Sequence, residues 1–224
     1  MLDLDEAPYE EVRDSLNDVA TVNRYLSGYR VLLHHAEIFL KAHKEDRPFT
    51  VLDAATGSAD QPMALARLAR KLGIPIHITA IDINAKMLKM AREEIRQYPE
   101  IRLVQCDILN LPFKDEGFDL AVNNLSLHHF SWDNAVAILK SIYKSARLGI
   151  LVNDLHRSRI AHAVIFLLTR IFTRNRLTRY DAPVSVMNAF TPSEFRELAQ
   201  QAEIEPIEIH RHFPYRIALL GRKS

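Results

Sequence analysis

Three aspartates stand at the ends of three successive apolar runs: Asp53 closes the first, Asp82 follows 29 residues later, and Asp107 comes 25 residues after that. Near-continuous apolar runs of this kind read as strands buried on both faces. Open α/β sheets bind ligands at the carboxyl ends of their parallel strands, so the three carboxylates would line one site. The first of them leads into VLDAATGSAD, residues 51–60, a small-residue loop between a strand and a helix. Such a loop aims backbone N–H groups at a ligand lying at the helix N-terminus. A dinucleotide fingerprint would need glycine at positions 55, 57 and 60, which hold Ala55, Gly57 and Asp60, and this disfavours a nicotinamide or flavin enzyme. Each aspartate taken alone serves equally well as a cap for the turn or helix after it. Their shared order and spacing favour a common ligand.

A second set of polar residues falls on the same edge. The fourth run ends in VNNLSLHHF, with Asn123, Asn124, His128 and His129, and the fifth in LVNDLHRS, with Asp154 and His156. Imidazole is the natural proton acceptor near neutral pH. His128 or His156 is therefore the candidate base, with Asp154 orienting it or binding. The chain has ten histidines, so two near one edge carry little weight alone; a His-His pair at a helix start also caps or packs.

The elements that must position these groups follow from periodicity. Strands are expected over Phe49 to Asp53, Ile76 to Asp82, Ile101 to Cys106, Phe118 to Asn123 and Leu148 to Asn153. Between them Leu65, Leu68, Ala69 and Leu72 fall at helical spacing, and Met87, Leu88, Ala91 and Ile95 do much the same. Thr191-Pro192-Ser193-Glu194 reads as a capping box, opening a helix to about Ala202. Two strand-like runs, Pro206 to Phe213 and Tyr215 to Arg222, are separated only by Pro214 and are most simply antiparallel. The expected fold class is α/β: a doubly wound, mostly parallel seven-stranded sheet with an antiparallel C-terminal hairpin and helices on both faces. A helical pattern from Tyr9 to about Ala42, broken near Ser27 and Gly28, adds an N-terminal extension or lid over residues 1–46. Residues 47–224 form the main domain, with a helical insertion over about 156–190.

The order of loop, second-strand acid and third-strand acid resembles the class I, Rossmann-like S-adenosylmethionine-dependent methyltransferases. The resemblance runs from about Phe49 to the C-terminus, including the terminal hairpin. It implies S-adenosyl-L-methionine as cofactor and S-adenosyl-L-homocysteine as its product. By it, Asp53 and the loop Ala55, Thr56 and Gly57 would hold the methionine part, and Asp82 would accept from the ribose hydroxyls. Ile83 would cover the adenine, Asp107 would bind its amino group, and the Ile108 backbone N–H would read a ring nitrogen. Asn123 and Asn124 would approach the reactive methyl. The family usually has glycine where this chain has Ala55 and Ala59, and each added methyl would crowd the ligand or the helix–strand contact. The pattern NDLHRS…LTRIFTRNR…DAPVSV looks like a bacterial subgroup acting on small molecules, often in polyketide-type secondary metabolism.

Composition narrows the acceptor. The 224 residues carry a net charge of +1, which argues against a general grip on nucleic acid. In place of the Asn/Asp-Pro-Pro-Tyr motif of enzymes that methylate base amino groups stands Asn123-Asn124-Leu125-Ser126. No uncharged apolar stretch approaches a membrane span. The single Cys106 and the lack of a secretory pattern in MLDLDEAPYEE lead to a cytoplasmic expectation. No metal is expected, and the chain would be a monomer or homodimer. The expected reaction is methyl transfer to a small apolar or aromatic acceptor, at oxygen; the alternatives are carbon methylation of a quinone or polyketide ring and a non-catalytic binding protein with this fold.

Charge is unevenly spread. Residues 1–20 hold seven acids and one arginine, and the stretch from Arg157 to Arg179 holds six arginines and no acid. Phe166, Leu167, Ile171 and Phe172 in that stretch would wall an apolar pocket, with Arg174, Arg176 and Arg179 meeting an anion or touching a membrane surface peripherally. A core helix with solvated arginine ends is the other reading. Asp3, Asp5, Glu6, Glu10, Glu11 and Asp14 would face these arginines, with Tyr25, Leu26 and Tyr29 supplying apolar closure. On this reading a chain lacking residues 1–44 keeps a folded core.

Overall fold

Side chains alternate along strand β1 (Phe49–Ala54) and so divide the core in two. Phe49 and Val51 join one apolar cluster and Leu52 and Ala54 the other. The computed structural model describes residues 8, 10–14, 18, 21 and 28–223. Seven strands form one sheet in the order β3-β2-β1-β4-β5-β7-β6. The parallel strands are β1, β2 (Ile76–Asp82), β3 (Ile101–Gln105), β4 (Phe118–Asn124) and β5 (Ala146–Leu155); β6 (Ile207–His212) and β7 (Arg216–Arg222) form the antiparallel hairpin, with β7 against β5. The chain thus has the doubly wound sheet and terminal hairpin expected from its alternating runs.

Helices cover both faces. On one lie α1 (Gly28–Ala42) and α2 (Asp60–Leu72); on the other lie α4 (Trp132–Ser145) and α7 (Pro192–Gln201). Helix α3 (Ala85–Glu94) joins β2 to β3, and α5 (Arg159–Phe172) and α6 (Arg176–Asn188) fill the chain between β5 and α7. The caps are written in the sequence: Asn84 opens α3, accepting from the N–H groups of Lys86 and Met87, and the Thr191–Glu194 capping box opens α7. Gly149 on β5 has φ 147°, and a Cβ there would lie 2.1 Å from the Gly221 carbonyl oxygen on β7, so only glycine lets these strands close.

Helix α1 packs the N-terminal extension onto the sheet. It buries Val31, Leu32, Ala36, Phe39 and Leu40 in the same cluster as β1 and α2, and the Asn153 amide donates to the Gly28 carbonyl at 3.2 Å. A chain cut at residue 44 therefore loses a wall of its core, because an amphipathic pattern does not say which surface it meets. Farther upstream Glu11 meets Arg176 at 2.5 Å and Asp18 accepts from Thr173 and Thr178, so acids of the N-terminal segment do reach the arginine-rich stretch. Asp3, Asp5, Glu6, Tyr25 and Leu26 lie outside the described residues.

Candidate functional site

The β1–α2 loop turns through three left-handed residues, Ala55 (φ 63°), Gly57 (φ 57°) and Ala59 (φ 61°). That conformation suits glycine and costs an alanine roughly 1 to 2 kcal/mol. Both alanines therefore sit at strained positions. Beneath the loop, Asp53 is buried, and its Oδ2 has no protein hydrogen-bond partner. Burial pushes its pKa up to about 7, with Asp60 and Asp82 adding to the rise and the nearby Thr56 and Asn124 side chains opposing it. Thr56 Oγ1, both amide atoms of Asn124 and both of Gln61 are likewise buried without protein partners. A Cβ placed on Gly57 would meet no protein atom within 4 Å, so the space beside it is open. Unsatisfied buried polar atoms are costly, and so many around one opening mark a place built to receive a polar ligand.

Asp82 ties this loop to its neighbour. Its Oδ2 accepts from Gly57 N–H at 2.8 Å and its Oδ1 from Asn84 N–H at 2.9 Å. Burial raises its pKa against these bonds. The adjacent Ile83 is 64% exposed, an apolar surface left open at the sheet edge. Asp107 lies two residues past the end of β3, where it accepts from Leu109 N–H at 2.9 Å and from the Asn110 amide at 3.1 Å. It thus caps its own turn while retaining lone pairs. Ile108 beside it is buried.

Asn123 and Asn124 end β4 in different settings. The Asn123 amide donates to the Ala54 carbonyl at 2.9 Å and to Ser126 Oγ at 2.6 Å, clipping β4 to β1. Beyond them a 3₁₀ turn, Leu127–His129, carries His128 inward and leaves His129 exposed. His128 Nδ1 pairs with Asp154 Oδ1 at 2.5 Å, and the His128 N–H donates to Asp154 Oδ2 at 3.1 Å. Burial works to raise the Asp154 pKa, but the His128 charge and these bonds hold it below the usual carboxylate value. His156 stands apart: its N–H donates to the Tyr215 carbonyl, and burial and Arg211 lower its pKa. The structure therefore brings Asp154 to His128 and not to His156.

Two residues of this region carried no signal in the sequence reading. Arg216 is 2% exposed at the start of β7, and burial pushes its guanidinium down to about 10 against the pull of Asp154. It is hidden in sequence because a strand start gives no hint of what lies across the sheet. Gln61, one residue into α2, reads from sequence as a solvated first-turn residue.

Comparison with known proteins places this geometry. Residues 51–149 match the family model described as a methyltransferase domain. A 2-phytyl-1,4-naphtoquinone methyltransferase of Nostoc punctiforme is 34% identical over 125 residues, 53% of this chain and 53% of that one. A ubiquinone/menaquinone biosynthesis C-methyltransferase of Rickettsia bellii is 27% identical over 172 residues, 70% of this chain and 68% of that one. The chain spans about half the length of the first curated relatives it matches, between 44% and 53%. Among solved structures, a SAM-dependent methyltransferase of Aquifex aeolicus shares the fold with a TM-score of 0.59, over 83% of this chain and 87% of that one, at 16% identity.

Proposed function

We propose, on the match of residues 51–149 to the methyltransferase-domain model, that the chain transfers the methyl group of S-adenosyl-L-methionine to a ring carbon of a small hydroxylated aromatic acceptor of the quinol type. Carbon replaces the oxygen expected from sequence because the relatives named above are quinone methyltransferases, one of them a C-methyltransferase. The observation that carries the reading is the set of unpartnered buried polar atoms on Asp53, Thr56 and Asn124 beside the open face of Gly57. An ammonium group has three donors and no acceptor, and Asp53 Oδ2, Thr56 Oγ1 and Asn124 Oδ1 offer acceptors to match.

The residues fit the cofactor as follows. Asp53 and the loop Ala55, Thr56 and Gly57 would hold the methionine end, Asp82 the ribose hydroxyls, and Ile83, Asp107 and Ile108 the adenine, with Asn123 and Asn124 under the reacting centre. When bound, the cofactor supplies a methyl group on a sulfonium and leaves as S-adenosyl-L-homocysteine. His128 would act on the acceptor. Asp154 occupies Nδ1, which leaves Nε2 to remove the proton of the acceptor hydroxyl. Loss of that proton enriches the ring carbon beside the hydroxyl with electrons; once that carbon has taken the methyl, its own hydrogen leaves as a proton and the hydroxyl is restored, whereas an oxygen acceptor loses the hydroxyl proton alone, so one base serves both. Arg216, buried and coupled to Asp154 through its charge, would steady the negative charge of Asp154 as the imidazolium forms.

Calorimetry with S-adenosyl-L-methionine, followed by turnover of a reduced 1,4-naphthoquinone with labelled methyl, tests the reading. We expect heat of binding and a product whose label is on carbon by NMR. A methoxy signal would return the acceptor atom to oxygen, and absence of binding would make the chain a non-catalytic protein with this fold.

A further inference from the structure

Helix α5 leaves an apolar stripe uncovered. Ile160, Val164, Leu167 and Ile171 fall at i, i+4, i+7 and i+11, within an arc of about 60°, and Ile160, Leu167 and Ile171 are 66%, 59% and 63% exposed. Of the 14 residues of the helix only Ala161 and Thr169 are buried. Phe166, Leu167 and Ile171, expected from sequence to wall a pocket, instead stand in solvent, and the exposed Phe172 edges only a polar opening shared with Asp14, Asp18 and Arg174. Along one border of the stripe lie Arg159 and Arg170, the latter with its guanidinium 3.6 Å from the Phe166 ring centroid, and Arg174 follows the helix end.

Charge selects what covers such a face. Arg157 and Arg176 are engaged by Glu194 and Glu11, whereas Arg159, Arg170 and Arg174 make no ion pair among the described residues. A second copy packed two-fold on this stripe would bring the same arginines against each other. An anionic bilayer offers both chemistries at once, acyl chains for the stripe and phosphates for the guanidinium groups. The helix is too short to cross a membrane, and no described helix is long and apolar enough to do so. We propose that α5 is a docking surface for an anionic phospholipid bilayer, lying in the plane of the interface with Ile160, Val164, Leu167 and Ile171 inserted and Arg159, Arg170 and Arg174 at the headgroups. Docking of this kind does not depend on which acceptor is methylated.

The test is co-sedimentation of the full chain with vesicles of phosphatidylcholine alone or mixed with phosphatidylglycerol. Binding to the mixed vesicles should be about tenfold or more tighter than to phosphatidylcholine and should weaken with salt. Leu167→Glu with Ile171→Glu, both at exposed positions, should abolish it with an unchanged circular dichroism spectrum, and Arg170→Glu with Arg174→Glu should reduce it about tenfold. Failure of the native chain to bind mixed vesicles would overturn the proposal, as would binding indifferent to either variant pair. A dimer in solution that the Leu167→Glu, Ile171→Glu pair dissolves, with no vesicle binding, would assign the stripe to a second copy instead.

Discussion

His128 Nδ1 and Asp154 Oδ1 lie 2.5 Å apart, although 26 residues separate them in sequence. They meet because β4 and β5 are parallel neighbours with Asn124 opposite Asn153, so the turn leaving β4 lies beside the last residues of β5. The carboxylate is also held by the backbone: Leu155 N–H donates to Oδ1 at 2.7 Å and His128 N–H to Oδ2 at 3.1 Å. A carboxylate held by two backbone donors cannot rotate, and the ring bound to it has one nitrogen left for proton exchange.

Replacing His128 by alanine should therefore lower turnover about a hundred- to ten-thousand-fold while S-adenosyl-L-methionine affinity is kept, since no cofactor contact is assigned to this side chain. His156→Ala should lower it far less. Asp154→Asn is expected to be as damaging as the His128 change, because its amide N–H₂ must face a backbone N–H that now donates to oxygen. Calorimetry beside a methyl-transfer assay separates chemistry from binding; equal losses in the two histidine variants would place the base elsewhere.

Ala55 and Ala59 offer a test in which strain and ligand approach are separable. Both residues have positive φ, so Ala55→Gly and Ala59→Gly should each raise stability by about 0.5 to 1 kcal/mol, the relief of strain exceeding the added freedom of the unfolded chain. If the alanine methyls also obstruct the cofactor, the double variant binds it more tightly; unchanged affinity assigns them to packing alone. Gly57→Ala works in the opposite sense: its methyl meets no protein atom and should remove binding while costing about 1 to 2 kcal/mol of stability. Thermal melts and titration of the three variants check both signs.

What the sequence revealed and what it hid follow from the range of the interactions. The parallel strands were legible because burial on both faces leaves a continuous apolar run, and the hairpin because Pro214 separates an alternating run, Ile207–His212, from an apolar one, Arg216–Arg222. Asp82 and Asp107 were legible as strand-end acids, yet the bonds of Asp82 to Gly57 and Asn84 and of Asp107 to Leu109 and Asn110 are set by backbone conformation. The choice of His128 over His156 as the partner of Asp154 depends on the register of β4 against β5, a non-local property. Arg216 was invisible for the same reason, since its neighbour Asp154 lies on another strand.

Removal of residues 1–44 should unfold the chain. Helix α1 buries Val31, Leu32, Phe39 and Leu40 against β1 and α2, and four such side chains contribute roughly 6 to 12 kcal/mol. That rivals the 5 to 15 kcal/mol (approximately) that holds an ordinary domain together. Circular dichroism of the truncated chain should show loss of cooperative melting. A chain beginning at residue 28, which retains the helix, is expected to melt cooperatively, and a folded chain from residue 45 would show that the sheet closes without α1.

Asp53 sets stability and ligand binding against each other along the pH axis. Its carboxyl is pushed up to about 7 by burial, so the folded chain holds this proton more tightly than the unfolded chain, whose aspartate titrates near pH ~4. The stabilisation from this group is full below the unfolded value and is lost as pH rises through about 7. The ligand's ammonium requires the charged carboxylate, so its affinity should run the other way, rising over the same interval. At about pH 8, Asp53→Asn should therefore melt higher than the native chain without ligand, because a neutral amide escapes the cost of burying a charge. The same variant should gain no stability from added S-adenosyl-L-methionine, whereas the native chain gains more from it at about pH 8 than at about pH 5.5. Melting temperatures of both proteins at the two pH values, with and without ligand, decide the matter. A native chain stabilised equally at both would remove Asp53 from the ammonium site.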